Sequence, residues 1–286
     1  MRYLVTGASG YLGRGIVKKL IDDGNEVIAN DVNCKDVDPR AQIIEADLFA
    51  IEKPWECFGG PDVLLHLAWR NGFVHNSTTH LRDLPNHYTF LKDFIDNHVR
   101  KIAVMGSMHE IGFYEGCVCD TTPCNPQSFY GIAKNALRQA LIVECENNKV
   151  NWQWLRGYYI VGDQQYGSSI FSKIYQAVIN GQLEFPFTTG ENQYDFIDYD
   201  DFCTQVVAAL TQDEVMEIIN ICSGYPERLG TRVERFIEEN HYPIKLNYGV
   251  FPERPYTSKA IWGSNDKISK ILEKYKTSHS IGAIKE

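Results

Sequence analysis

The chain has 286 residues, of which 44% are hydrophobic and 23% charged, and its net charge is −9. That length can bury a large core in one or two domains, while the acidic balance argues against a broad basic surface for nucleic acid. No apolar run is long enough to span a membrane, and the first residues run straight into a strand pattern, so a cytoplasmic protein without signal peptide, membrane or nucleic-acid partner is expected.

In chain order, strand patterns fall at 2–6, 26–31, 42–46, 62–67 and 101–106. The last two are nearly continuous apolar runs, as in parallel strands covered on both faces. Helix patterns fit 11–23, 78–98 and 127–148, and a further strand fits 152–156. Beyond about residue 160 the strand signals shorten, and Gly/Pro/aromatic loops are expected over 181–201 and 248–262. Helices fit 168–180, 201–211, 230–240 and 264–275, and a strand at 216–221 is expected to return to the main sheet. Alternating strands and helices predict an α/β fold, a doubly wound Rossmann-type parallel sheet with helices on both faces and a small irregular C-terminal lobe. The expected division is 1–160 plus the strand near 216–221 for the sheet domain, and the remainder of 161–286 for the lobe. Cys117, Cys119 and Cys124 cluster without a C-x-x-C pair, so free thiols and no metal site are expected.

Gly7, Gly10 and Gly13 follow the first strand and open the first helix. Glycines there give a tight turn, close approach of backbone N–H groups to a pyrophosphate, and close helix–strand packing. Ser9, Tyr11 and Leu12 complete that turn. Asp31 ends the second strand, where a carboxylate accepts the adenosine ribose hydroxyls and repels a 2′-phosphate; NAD is therefore favoured over NADP. Asn30 and Asn33 are placed to share that contact, and Asp47 and Leu48 to meet the adenine. Leu67 and small Ala68 end the fourth strand beside the cofactor, whereas His66, inside an apolar run, reads as a hydrogen-bonded core histidine.

Ser107 ends the fifth strand at the carboxyl edge, where open α/β sheets place their ligands. Tyr130 and Lys134 share one face of the next helix. An ammonium beside a phenol is expected to lower the phenol pKa, making Tyr130 an acid/base, with Ser107 polarising the reacting carbonyl or hydroxyl. Tyr88 and Lys92 repeat the spacing but precede Ser107, in an ordinary amphipathic helix.

Together these residues, with Asn125-Pro126 before Ser128, Tyr130, Gly131 and Lys134, resemble the extended short-chain dehydrogenase/reductase superfamily, and within it the NAD-dependent epimerase/dehydratase family acting on nucleotide-diphosphate sugars. Tyr194 to Asp201 and Ile219 to Gly224 resemble two further family segments. The resemblance implies a Ser–Tyr–Lys site, NAD(H) in the sheet crevice and a sugar nucleotide under the C-terminal lobe. It also implies a homodimer through 78–98 and 127–148. Arg254 matches one pyrophosphate-binding arginine of the family, and Tyr194 stands where another would be. The family's 4,6-dehydratases carry an Asp-Glu pair directly after the catalytic hydroxyl residue. Here Met108 and His109 stand there against the substrate, with Glu110 one step late, so water elimination is disfavoured. His109 reads equally as an auxiliary acid/base or a structural loop histidine. Gly106 replaces a frequent serine. The leading expectation is a 4-keto-sugar reductase transferring hydride at C4. Alternatives are a 4-epimerase with bound NAD, an oxidoreductase of a non-sugar ketone or alcohol, and a non-enzymatic NAD sensor or scaffold on the same fold.

Overall fold

A computed structural model describes residues 1–162, 165, 167, 169–252 and 258–282. The first half runs β1 (Arg2–Thr6), α1 (Tyr11–Asp22), β2 (Glu26–Asp31), β3 (Gln42–Glu45), α2 (Pro54–Cys57), β4 (Val63–His66), α3 (Thr79–Asp96), β5 (Lys101–Ser107), β6 (Gly116–Val118), α4 (Phe129–Asn148) and β7 (Asn151–Gly157). There follow β8 (Tyr159–Val161), α5 (Ile170–Ile179), β9 (Glu184–Pro186), β10 (Gln193–Asp198), α6 (Tyr199–Thr211), β11 (Ile218–Ile221), β12 (Pro226–Arg228), α7 (Leu229–Glu239), β13 (Lys245–Asn247), β14 (Ala260–Gly263) and α8 (Asp266–Gly282).

Alternate residues of the apolar strands point to opposite faces, and each face finds its own helices. Tyr3, Val5, Ala29, Leu65, Ala103 and Leu155 pack with Ile16, Val17, Phe202, Val206 and Ile268 of α1, α6 and α8. Leu4, Ile28, Leu64, Ile102, Val104 and Trp154 pack with Phe90, Leu91, Phe94, Leu137 and Leu141 of α3 and α4. The result is a seven-stranded sheet in the order β11-β7-β5-β4-β1-β2-β3, with every pairing parallel. The chain leaves β1 towards β3 and then returns to β4 on the other side. This opens a crevice at the carboxyl ends of β1 and β4, where Thr6 and His66 pair.

A second sheet has the order β12-β10-β14-β6, with β8 paired to β10. It draws β6 from the first half of the chain. The segments 181–201 and 248–262, expected as loops, contain β9, β10 and β14. β10 forms because Tyr194 to Ile197 are all buried and have partners on both sides. The buried carboxylate of Asp195 fixes this arrangement. It accepts hydrogen bonds from Ser223 N (2.8 Å), Ser223 Oγ (2.7 Å), Gly224 N (3.0 Å) and Gly263 N (3.1 Å), tying the turn after β11 to β14. The C-terminal helix continues to Gly282, beyond the predicted end at 275.

Candidate active site

Two glycines let the first turn press on β4. Gly7 has φ +71°, and a Cβ on it would stand 2.7 Å from the Ala68 nitrogen. A Cβ on Gly13 would stand 2.3 Å from the Gly7 oxygen. Helix α1 begins at Gly10 without a side-chain cap and without an acidic residue in its first turn. Its first N–H groups and the positive end of its dipole therefore suit a pyrophosphate. Tyr11 and Leu12 are the first two residues of α1. The Tyr11 hydroxyl donates to Gly162 O (2.7 Å), and Leu12 packs on the core.

Asp31 Oδ2 accepts Ser9 Oγ–H (2.7 Å) and Ser9 N–H (3.1 Å), while Oδ1 accepts Val32 N–H (2.8 Å). Asn30, expected to share the ribose contact, has its amide engaged within the fold. It is buried, and its amide donates to Ile44 O and Ala46 O. Asn33 accepts the backbone N–H of Lys35. Asp47 caps the short turn that begins at Leu48, accepting Phe49 N–H (3.0 Å).

Ser107 and Tyr130 meet because another glycine is small. A Cβ on Gly131 would stand 2.4 Å from His109 O, so α4 lies directly against the 108–110 turn. Ser128 caps α4 through Gly131 N–H (3.2 Å). Tyr130 then reaches Ser107 and shares a side-chain hydrogen bond with it. Ser107 Oγ also accepts His109 N–H (3.3 Å). Lys134 is buried; its Nζ donates to Met105 O (2.7 Å) and lies 3.9 Å from the centre of the Trp69 ring. The expected lowering of the Tyr130 pKa by Lys134 is not found. Burial pushes the phenol up to about 12 against the opposing hydrogen bond from Ser107, and burial pulls Lys134 down to about 7. Desolvation outweighs the hydrogen bond from Ser107, so Tyr130 carries its proton at neutral pH.

Five of the chain's eight histidines surround this pair, although the sequence drew attention to only two of them. His66 Nδ1 shares a hydrogen bond with Thr6 Oγ1 (2.8 Å), and its Nε2 with His87 Nδ1 (2.9 Å). Burial lowers the pKa of both rings, that of His87 to about 3. His75 lies parallel to the Tyr130 ring at 5.5 Å and 4.2 Å from the His109 ring, and its carbonyl accepts Tyr130 N–H (2.9 Å). His109 is lowered to about 3, first by burial and then by His75. The helical spacing of His80, Asp83 and His87 along the buried stripe of α3 was the available sequence signal for this polar cluster.

The other residues expected at the substrate are Met108, Tyr194 and Arg254. Met108 is 7% exposed and packs in the apolar cluster of the second sheet. Tyr194 is buried against Tyr159 (4.6 Å), and it is Tyr159 that faces His109 (6.4 Å). Arg254 lies outside the described residues. Tyr88 and Lys92 are turned to Glu144 and Asp96, away from Ser107. Glu110 and Arg156 are both fully buried. Arg156 Nε donates to Glu110 (2.5 Å), and Trp154 Nε1 donates to the same carboxylate (2.9 Å).

The sheet with its glycine turn is that of an NAD-dependent enzyme of the extended short-chain dehydrogenase/reductase class. The chain belongs to the NAD dependent epimerase/dehydratase family, whose model matches residues 3–222, and NAD is its cofactor. It is 41% identical over 270 residues to dTDP-6-deoxy-L-talose 4-dehydrogenase (NAD(+)) of Aggregatibacter actinomycetemcomitans, covering 92% of this chain and 100% of that protein. A UDP-glucose 4-epimerase of Lactobacillus helveticus is 23% identical over 238 residues, 73% of this chain and 72% of that one. In fold, the chain is similar to UDP-N-acetylglucosamine 4-epimerase of Methanobrevibacter ruminantium M1, with TM-score 0.82, 20% identity, and 94% and 91% of the two chains covered.

Proposed function

We propose that the chain transfers a hydride between NAD and C4 of a hexose carried on a nucleoside diphosphate, with net flux as a 4-keto-sugar reductase. The observation that carries this reading is Glu110. The turn after Ser107 offers Met108 and His109 where elimination of water would need two carboxylates, and its one carboxylate is locked to Arg156 and Trp154. The 41% identical relative, named for a 4-dehydrogenase of a dTDP-6-deoxyhexose, supports the same position and a 6-deoxy sugar.

When bound, NAD supplies or takes the hydride. The turn from Gly7 to Gly13 holds the pyrophosphate, Asp31 the adenosine ribose, and Asp47, Leu48, Leu67 and Ala68 line the remaining cofactor path. The protonated Tyr130 phenol gives its proton to the C4 oxygen during reduction and recovers it in the reverse direction. Ser107 donates a hydrogen bond to that oxygen, and Lys134 places its ammonium behind the phenol. Neutral His109, with His75 beside it, pairs with ring hydroxyls, since each neutral imidazole offers one donor and one acceptor. The second sheet with α5 and α7 forms the substrate lobe, to which Arg254 and Tyr194 belong in this reading.

Exposed apolar side chains on α3 and α4, among them Leu81 and Val143, support a homodimer through these helices, testable by mass in solution. All eight cysteines are free thiols, which suits the cytoplasm. No helix among the described residues is long and apolar enough to cross a membrane.

The deciding assay follows NADH with a dTDP-linked 4-keto-6-deoxyhexose. Stoichiometric NADH consumption supports the reductase. Interconversion of C4 epimers without net NADH change would establish the 4-epimerase instead, and NAD binding without turnover of any nucleotide sugar would overturn both.

A further inference from the structure

Trp69 follows Ala68 at the end of β4 and is held from several directions. Its ring lies parallel to the His87 imidazole at 4.3 Å and 10°. Its Nε1–H donates to His80 Nδ1 (3.1 Å). An indole N–H can only donate, so His80 Nδ1 is bare and Nε2 carries the hydrogen, which it donates to Val74 O (3.0 Å). The indole orientation is therefore set by two residues of α3, and through His80 the same bonds fix the 70–78 loop. Against this ring lies Lys134 Nζ, 3.9 Å from the ring centre.

A buried ammonium has three donors and needs partners. Met105 O on β5 takes one of its hydrogens. The titratable groups that interact with it are His66 from β4, His87 from α3 and Glu110 from the turn after β5, and Tyr130 stands one turn earlier on its own helix. Burial keeps both histidines neutral, Tyr130 retains its proton, and Glu110 is bound to Arg156. The negative face of the indole is thus the immediate electrostatic partner of the ammonium besides the Met105 carbonyl. We propose that Trp69 is the positioning residue of Lys134: its ring face stands in for water around the ammonium and fixes it at the depth of Tyr130, a role whose catalytic consequence rests on the hydride-transfer function above.

The first measurement needs neither substrate nor turnover. Lysines labelled with 13C at Cε are titrated by NMR in the NAD-free protein, with Lys134 assigned through Lys134→Arg. In Trp69→Leu the Lys134 pKa is expected to fall by about 1, from loss of a desolvated cation–π contact. In Trp69→Phe, which retains an aromatic face, the fall is expected to be less than about half of that. An unchanged or higher Lys134 pKa in a folded Trp69→Leu overturns the proposal, as does an equal fall in both variants. Should Trp69→Leu not fold, Trp69→Met is read by the same criteria. In turnover, the alkaline limb of kcat is expected to move down with the Lys134 pKa in Trp69→Leu and to return towards wild type in Trp69→Phe. A uniform loss of kcat without movement of that limb would leave Trp69 as a spacer and overturn the positioning role. If the wild-type protein turns over no nucleotide sugar, the function above fails while the Lys134 titration still judges Trp69.

Discussion

A Cβ on Gly106 would stand 2.1 Å from Nε1 of Trp154 on the neighbouring strand. The missing side chain is what allows the indole to lie across β5 and donate to Glu110. Gly106→Ala is therefore expected to displace the ring and leave a buried carboxylate short of a donor. A loss of roughly 2–4 kcal/mol combines overpacking with an unmade hydrogen bond. Urea unfolding of the variant against wild type measures it, and a loss under about 0.5 kcal/mol, as at an ordinary surface site, would show that the strands simply spread.

The pair behind Trp154 makes a second prediction. Removing one partner of a buried ion pair strands the other charge and costs about 3–5 kcal/mol. Arg156→Met alone should show that loss, and Arg156→Met combined with Glu110→Leu should recover much of it. A double variant no more stable than the single one would mean that the pair's neighbours, rather than its charges, set the stability.

Tyr130→Phe removes the hydroxyl proposed to carry the proton and leaves the ring stacked on His75. Turnover is expected to fall roughly 10²–10⁴-fold, the usual worth of a positioned acid/base. NAD affinity, read by calorimetry, should stay within about a factor of three, corresponding to less than 1 kcal/mol. Comparable losses of kcat and NAD affinity would point to a collapsed site instead.

Asp31 and Ser9 separate a cofactor contact from a local clasp. Asp31→Asn keeps the shape but removes the charge, and NAD binding should weaken roughly 10- to 100-fold. Ser9→Ala frees Oδ2 of one competitor, and NAD should bind as well or better. Equal weakening in both variants would mean that the clasp shapes the glycine turn and that Asp31 meets no ribose.

The buried imidazoles predict how stability follows pH. His66 and His87 have folded pKa values below the unfolded value of 6.5. Their contribution is thus complete above that value and is lost as pH falls from about 6.5 towards the folded values. By pH 5 the loss should be about 1–2 kcal/mol per buried ring. His87→Phe should lessen the slope between roughly pH 5 and 6.5, the range in which a free imidazole titrates, by one ring's share, leaving the part due to His66 and His109. A wild-type curve already flat there would show that the rings accept a proton in place.

The central sheet was legible because most of its strands, the exposed edge strand β3 apart, are apolar on both faces and are separated by helices with clear periodicity. Ser107, Tyr130 and Lys134 were legible because each lies at a strand end or on one helix face. The second sheet was not, since strands of three or four residues such as β6, β12 and β14 carry almost no period and find partners far along the chain. Trp69, His75, His87 and Trp154 escaped for a related reason. Their meaning lies in contacts made across folded space, such as Trp154 meeting Glu110, and composition does not encode those contacts. Gly106 shows the limit well: as a departure from a family pattern it carried no direction until the ring that occupies its place was seen.

The position of β14 has a consequence for synthesis. Residues 260–263 lie between β10 and β6, and β6 follows directly from the turn that carries Ser107 and His109. As a ribosome releases this chain, β1 to β5 and β7 can assemble while β6 still lacks its sheet neighbour. The wall beside the turn of Ser107 and His109 closes only once β14 has emerged. A chain halted before residue 260 would therefore hold a nearly complete central sheet beside an unfinished reaction chamber.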